Sequence, residues 1–187
     1  IWEVWNYNKL DYGDRFCSGL LFWYHNCSMR QVSSRMWDWS LEPTASLYHT
    51  ANSLEPLHAQ FDYLKNTVSV VNDYYRSFNN YKVIARVYDI NSRKVYEESA
   101  SVNLPEDGVA NDVLTIRFPE NISQVHFIKL VLKDEKGKDV SSNFYWRSND
   151  KYEGSKTLTG PASSGFEDLN KLKAANVKLS YKARQAD

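Results

Sequence analysis

Glycine is scarce in this chain, with 7 in 187 residues, and cysteine scarcer still, with 2. That excludes a collagen-like or glycine-rich low-complexity chain. Cys17 and Cys27 allow one disulfide but define no disulfide framework, and buried thiols are the simpler reading. Net charge is absent: 23 basic and 23 acidic residues cancel, so no overall field draws the chain to nucleic acid or to an anionic membrane. Long apolar runs are missing as well. The longest, around Leu20 to Tyr24, is far too short to cross a bilayer. The chain opens on Ile1 with no basic-then-apolar leader, which reads as a processed or excised piece.

Several chemistries lack their residues. The histidines His25, His49, His58 and His126 show no metal-ligand spacing among themselves or with the cysteines. No phosphate-cradling glycine loop and no nucleophile elbow is present, and neither a cofactor nor a metal is implied. Asn26-Cys27-Ser28 and Asn121-Ile122-Ser123 fit the glycosylation acceptor pattern, which is common by chance.

Aromatic residues, in contrast, are plentiful: 13 tyrosines, 8 phenylalanines and 6 tryptophans, a composition that suits strands. From Leu57 onward apolar and polar residues alternate in short segments. Lys82 to Asp89 sets Val83, Ala85 and Val87 on one face, Asp112 to Phe118 sets Leu114, Ile116 and Phe118 together, and His126 to Lys133 does so with Ile128, Leu130 and Leu132. Leu57 to Leu64, Thr67 to Asn72, Lys94 to Val102 and Val140 to Arg147 complete a set of about seven strands, the number in an immunoglobulin-like β-sandwich. Turn residues fall between them at Asn79-Asn80, Asn91-Ser92, Pro105 to Gly108 and Glu135 to Gly137. The predicted core is Val70, Val83, Val87, Leu114, Ile116, Leu130, Leu132, Phe144 and Trp146.

Before Leu57 the pattern differs. Gly19 to Tyr24 is a continuous apolar run, the mark of a strand covered on both faces, and Pro43 to Leu54 reads as a short helix with Leu47, Ala51 and Leu54 on one side. One such β/α unit cannot bury its own surfaces. Residues 19–54 must therefore fold back on the sandwich or self-associate against another copy. After Arg147, Ser148 to Gly165 has linker composition, and Ala175 to Tyr181 alternates as a strand without a local partner.

Gly19-Leu20-Leu21-Phe22-Trp23, Met36-Trp37-Asp38-Trp39-Ser40-Leu41, Glu55-Pro56-Leu57-His58-Ala59-Gln60, Val68-Ser69-Val70-Val71-Asn72 and Ser142-Asn143-Phe144-Tyr145-Trp146 follow one another in that order. This series resembles the C-terminal part of glycoside hydrolase family 2, in its exo-β-glucosaminidase, β-mannosidase and mannosylglycoprotein endo-β-mannosidase group. The resemblance implies a mainly β chain. Residues 1–56 would be the end of a (β/α)₈ catalytic barrel, 57–147 an immunoglobulin-like sandwich, and 148–187 a linker with the first strand of a further such domain. Gly19 to Trp23 would be the eighth barrel strand, and Glu55 to His58 the hand-over into the sandwich.

Retaining glycosidases need two carboxyl groups about 5 Å apart, and the family carries its pair upstream of anything matched in this chain. No catalytic residue is therefore expected, and Glu3, Glu42 and Glu55 read as structural. By the same resemblance Trp23 would offer its indole beneath the sugar of the innermost subsite, with Asn26 beside it. The implied partners are the remaining domains of a parent hydrolase and its oligosaccharide substrate, and a secreted or periplasmic parent is favoured. The rival reading is a stand-alone sandwich that binds a glycan or a protein through Tyr74, Tyr75, Phe78 and Tyr81.

Overall fold

The computed structural model describes residues 21, 25–30, 35–149 and 164–178. A short helix, α1 (Ala45–Ser53), precedes seven strands: β1 (Leu57–Asp62), β2 (Thr67–Asn72), β3 (Phe78–Asp89), β4 (Lys94–Leu104), β5 (Gly108–Thr115), β6 (Val125–Lys133) and β7 (Asp139–Ser148). They form a three-stranded sheet in the order β1-β2-β5 and a four-stranded sheet in the order β4-β3-β6-β7. All neighbours are antiparallel. The chain is thus mainly β, a sandwich of the expected kind.

Alternation builds the core. Ala59, Phe61, Val68, Val70, Val83, Ala85, Val87, Leu114, Ile128, Leu130 and Leu132 meet between the sheets, and full burial of a Val, Leu or Ile side chain contributes roughly 1.5–3 kcal/mol. Seven of the nine predicted core positions lie there. Phe144 and Trp146 do not: they are 48% and 59% exposed, while their neighbour Tyr145 is buried. The alternation of β7 is offset by one residue from the expected one, so Ser141, Asn143 and Tyr145 point inward.

Turn chemistry sets the strand limits. Asp62 Oδ1 accepts from the N–H groups of Leu64 and Lys65, which ends β1 before Leu64, and Asn66 closes that hairpin at φ 59°. Asn79-Asn80 is no turn. It lies inside β3, where Asn80 takes φ 58° and the register with β4 shifts between Phe78 and Tyr81, so the asparagines form a bulge. Likewise β5 starts at Gly108, earlier than alternation suggested, because Asp112 interrupts the pleat at φ 51°.

One face outside the core is also covered. Ala59, Phe61, Val68 and Val70 point into the sandwich, so His58, Gln60, Ser69 and Val71 lie on the other side of their sheet. Those four are buried nonetheless, with His58 and Val71 at 0% exposure. β1 and β2 are therefore enclosed on both faces, unlike an ordinary half-solvated sandwich sheet.

Past β7, a 3-10 helix (Ser164–Lys171) approaches β6. Residues 173–178 carry no regular structure, and the rest of the expected strand at Ala175 to Tyr181 lies outside the described residues.

Candidate functional site at segment 35–58

The segment 35–58 is held together by local polar groups. Asp38 accepts hydrogen bonds from the Ser40 N–H at 2.8 Å, the Ser40 hydroxyl at 2.8 Å and the Glu42 N–H at 2.9 Å. The Ser40 hydroxyl, followed by the Glu42 amide, holds its carboxyl below the ordinary carboxylate range. Trp37 pairs through its backbone with Asn26 on one side and Pro43 on the other. Asp38 thus stabilises a turn, and Met36 to Trp39 is anchored as structure.

The helix begins one residue after Thr44, its N-cap. The Thr44 hydroxyl accepts from the Ser46 N–H at 3.2 Å and donates to the Arg35 carbonyl. At the far end Asn52 reaches the sandwich, donating to Asn143 Oδ1 at 3.0 Å. Glu55 Oε2 accepts from the Ser141 hydroxyl at 2.8 Å, and the Pro56 carbonyl accepts from the Asp73 N–H at 2.8 Å. Residues 52–56 are therefore tied to β7 and to the end of β2.

Asn143 is the hub. Its Nδ2 faces His58 Nε2 at 3.2 Å, the Ala59 carbonyl at 3.3 Å and the Tyr145 hydroxyl. Tyr145 in turn accepts from the Phe61 N–H at 3.0 Å. β1 is the outermost strand of its sheet, so half of its peptide groups lack a strand partner. Side chains from the opposite sheet supply partners at Ala59 and Phe61. This explains the offset of β7: a polar Asn and a phenol satisfy an edge that Phe144 and Trp146 cannot.

Of the expected sugar-contacting pair, Trp23 lies outside the described residues. Asn26 is exposed, and its backbone carbonyl accepts from Arg35 Nη1 at 3.0 Å. Cys27 is buried, and Cys17 lies outside the description. Glu42 is exposed, Glu55 accepts from the Ser141 hydroxyl, and Glu3 lies outside the described residues. Among the described residues no group of three or more His, Cys, Asp and Glu side chains could hold a metal.

The aromatic set of the rival reading does not form one exposed surface. Tyr75 is 87% exposed and Tyr74 41%, but Tyr81 is buried in the core and Phe78 packs against it. The Arg76 guanidinium covers the Phe78 ring at 4.7 Å and the Tyr74 ring at 5.5 Å.

Over residues 65–152 the chain matches the profile of the mannosidase Ig/CBM-like domain. The exo-β-D-glucosaminidase of Streptomyces avermitilis is 26% identical over 133 residues, 70% of this chain and 15% of that protein. That of Hypocrea virens is 25% identical over 180 residues, 93% of this chain and 20% of that protein. The chain thus spans a fifth or less of the curated relatives it matches. Two solved structures share the fold. The Amycolatopsis orientalis exo-chitosanase CsxA superposes with a TM-score of 0.72 at 23% identity, covering 82% of this chain and 19% of that one. The β-D-mannosidase of Dictyoglomus thermophilum gives a TM-score of 0.58 at 18% identity, covering 79% and 18%. Residues 65–152 are thus similar to the mannosidase Ig/CBM-like domain, and the chain as a whole resembles the part of glycoside hydrolase family 2 enzymes that carries it.

Proposed function

We propose that this chain is the C-terminal, non-catalytic part of a family 2 glycoside hydrolase whose parent enzyme cleaves β-glucosaminides or β-mannosides with retention. Its task is to fasten the sandwich to the α/β body that precedes it. The observation that carries this reading is the double burial of the β1-β2 layer, where His58, Gln60, Ser69 and Val71 are enclosed on the side away from the core. A free-standing sandwich leaves that side to water. The hydrogen bonds of Asn52, Glu55 and Pro56 to β7 and to the end of β2 support the same view, since they fix the orientation in which the preceding segment meets the sandwich.

Within the parent, Trp23 would present an apolar platform to one sugar ring, and Asn26 would line the rim beside it. The two carboxyl groups that a retaining mechanism requires would come from the upstream barrel. The substrates named for the relatives suggest glucosaminides before mannosides.

The test has two arms. This chain alone, assayed on nitrophenyl β-glucosaminide and β-mannoside, is expected to give no turnover. The complete polypeptide encoded with it is expected to hydrolyse one of them and to lose most of kcat/KM on Trp23→Ala. Turnover by the chain alone, or a complete polypeptide without a barrel, overturns the reading.

A further inference from the structure

We propose that the outer face of the four-stranded sheet binds an acidic oligosaccharide, with a sugar ring on the aromatic cluster of Phe127, Phe144 and Trp146 and a sugar carboxylate on Lys129.

Alternation defines this face. Val83, Ala85 and Val87 of β3 and Ile128, Leu130 and Leu132 of β6 point into the core, so Arg86 and Tyr88, with Phe127 and Lys129, point away from it. On β7 the offset that turns Asn143 and Tyr145 inward turns Phe144 and Trp146 out. Register then aligns two rows. Tyr88 pairs with Phe127 and Phe127 with Trp146, so three aromatic residues cross the sheet in line at about 4.8 Å per strand. Two residues along, Arg86 pairs with Lys129 and Lys129 with Phe144. The Phe127 and Phe144 rings stack at 22° between planes. The 3-10 helix approaches β6, yet Phe144 and Trp146 stay about half exposed. Ile84 and Val131 share this face but are buried, so its open apolar surface is aromatic.

Charge selects the occupant. In a chain with no net charge, five cationic side chains on this face, Lys82, Arg86, Lys94, Lys129 and Lys133, stand against two carboxylates, Glu97 and Asp139. Both carboxylates are already engaged: Glu97 by Arg86 at 2.8 Å and by Lys94 at 2.7 Å, Asp139 by Lys133. Lys82 and Lys129 are exposed and have no carboxylate partner among the described residues. The face is therefore complementary to an anion. A second copy of the chain would set this cationic face against itself. A peptide docks along a strand edge or in a groove, whereas this surface spans the two central strands. Flat rings with a cation beside them suit a uronate residue, its C–H face on the aromatic cluster and its carboxylate on Lys129. A glucosaminide carries a cationic amine and is repelled here. The face thus takes a glycan of different chemistry from the substrate proposed for the parent, and the inference does not rest on that reading.

The test titrates the 187-residue chain with tetragalacturonate at neutral pH, followed by calorimetry. Saturable binding is expected, about tenfold tighter than that of the neutral cellotetraose and weakening as salt rises. Trp146→Ser is expected to lower the affinity about tenfold and Lys129→Gln about threefold, with the urea midpoint of each variant confirming that it folds. Should Trp146→Ser fail to fold, Phe144→Ser replaces it with the same expected loss. No binding of tetragalacturonate, equal binding of cellotetraose, or full affinity in either variant overturns the proposal. Hexaglutamate bound as tightly as tetragalacturonate would assign the face to an acidic protein and overturn it as well.

Discussion

The Tyr145 hydroxyl accepts a hydrogen bond from the Phe61 N–H at 3.0 Å, joining the outermost strands of the two sheets. With Asn143 on the Ala59 carbonyl, it closes one open side of the sandwich without a further strand. Asn143→Ala removes the hub and leaves His58, Ala59 and Asn52 without this partner. A loss of about 2–4 kcal/mol in urea unfolding is expected. Tyr145→Phe keeps the ring packing and takes away the acceptor for Phe61, for a loss of about 1 kcal/mol. Equal, negligible effects from both would show that the edge is not held in this way.

The offset of β7 makes a sharper contrast. Phe144 stacks on Phe127 at 5.6 Å between centroids but is half exposed, as is Trp146. Phe144→Ser and Trp146→Ser are each expected to change stability by less than about 1 kcal/mol. Leu130→Ala, at a fully buried position, is expected to cost about 2–5 kcal/mol. Chemical denaturation of the three variants checks the order, and a core-sized loss at Trp146 would reverse the assigned phase.

How far the sequence reveals this arrangement depends on what each strand has to satisfy. β2, β6 and most of β3 need only bury apolar side chains, so alternation locates them and their inward faces. β7 faces a second demand, the unpaired peptide groups of β1, and hydropathy ranks Phe144 and Trp146 above the Asn143 and Tyr145 that meet it. The period-two series Ser141, Asn143, Tyr145 was present as a signal but reads as a solvent face when the neighbouring edge is unknown. Asn80 and Asp112 mislead for another reason. Left-handed residues ordinarily mark turns, and the sequence alone does not tell a bulge within a strand from a turn between two. The change of pattern at Leu57 was legible, but the bonds of Asn52 and Glu55 to β7 join residues more than eighty positions apart and have no local trace.

Acid should weaken the fold through His126. Its ring is 1% exposed, and burial lowers its pKa from 6.5 to about 4, against a smaller opposing effect of the Ser123 carbonyl beside Nδ1. A group with its folded pKa below its unfolded value favours the folded state in its neutral form. The stability is fully present above pH 6.5 and is lost as pH falls through about 4. The expected loss is on the order of 1–2 kcal/mol, read as a falling urea midpoint at constant slope. His126→Phe, which cannot titrate, should flatten that part of the curve, and an unchanged profile would assign the acid sensitivity elsewhere.

A tight turn offers an independent check. A side chain added at Gly108 would place its Cβ 2.6 Å from Pro105 Cγ, far inside van der Waals contact. Gly108→Ala is expected to cost about 1–3 kcal/mol by forcing the β4-β5 turn apart. Gly137, at φ 82° with open space around it, loses stability on substitution by Ala through backbone strain alone, by about 1 kcal/mol. Thermal unfolding of both variants separates a packing penalty from a conformational one.

The strongest test of the seam removes it. A chain starting at Leu57 keeps all seven strands but lacks α1 and the hand-over bonds of Asn52 and Glu55. On the proposed fastening role it also uncovers the side of β1 and β2 on which His58, Gln60 and Val71 are enclosed. Exposing such a face next to an edge strand invites association with another copy. Light scattering is expected to show the shortened chain as dimers or larger species under conditions where the 187-residue chain stays monomeric, and its unfolding midpoint is expected to fall. If the two chains are equally monomeric and equally stable, residues 1–56 do not cover the sandwich and the proposed fastening role fails. If the 187-residue chain itself associates, the leading segment pairs with a second copy, and the joint described for one chain forms between two.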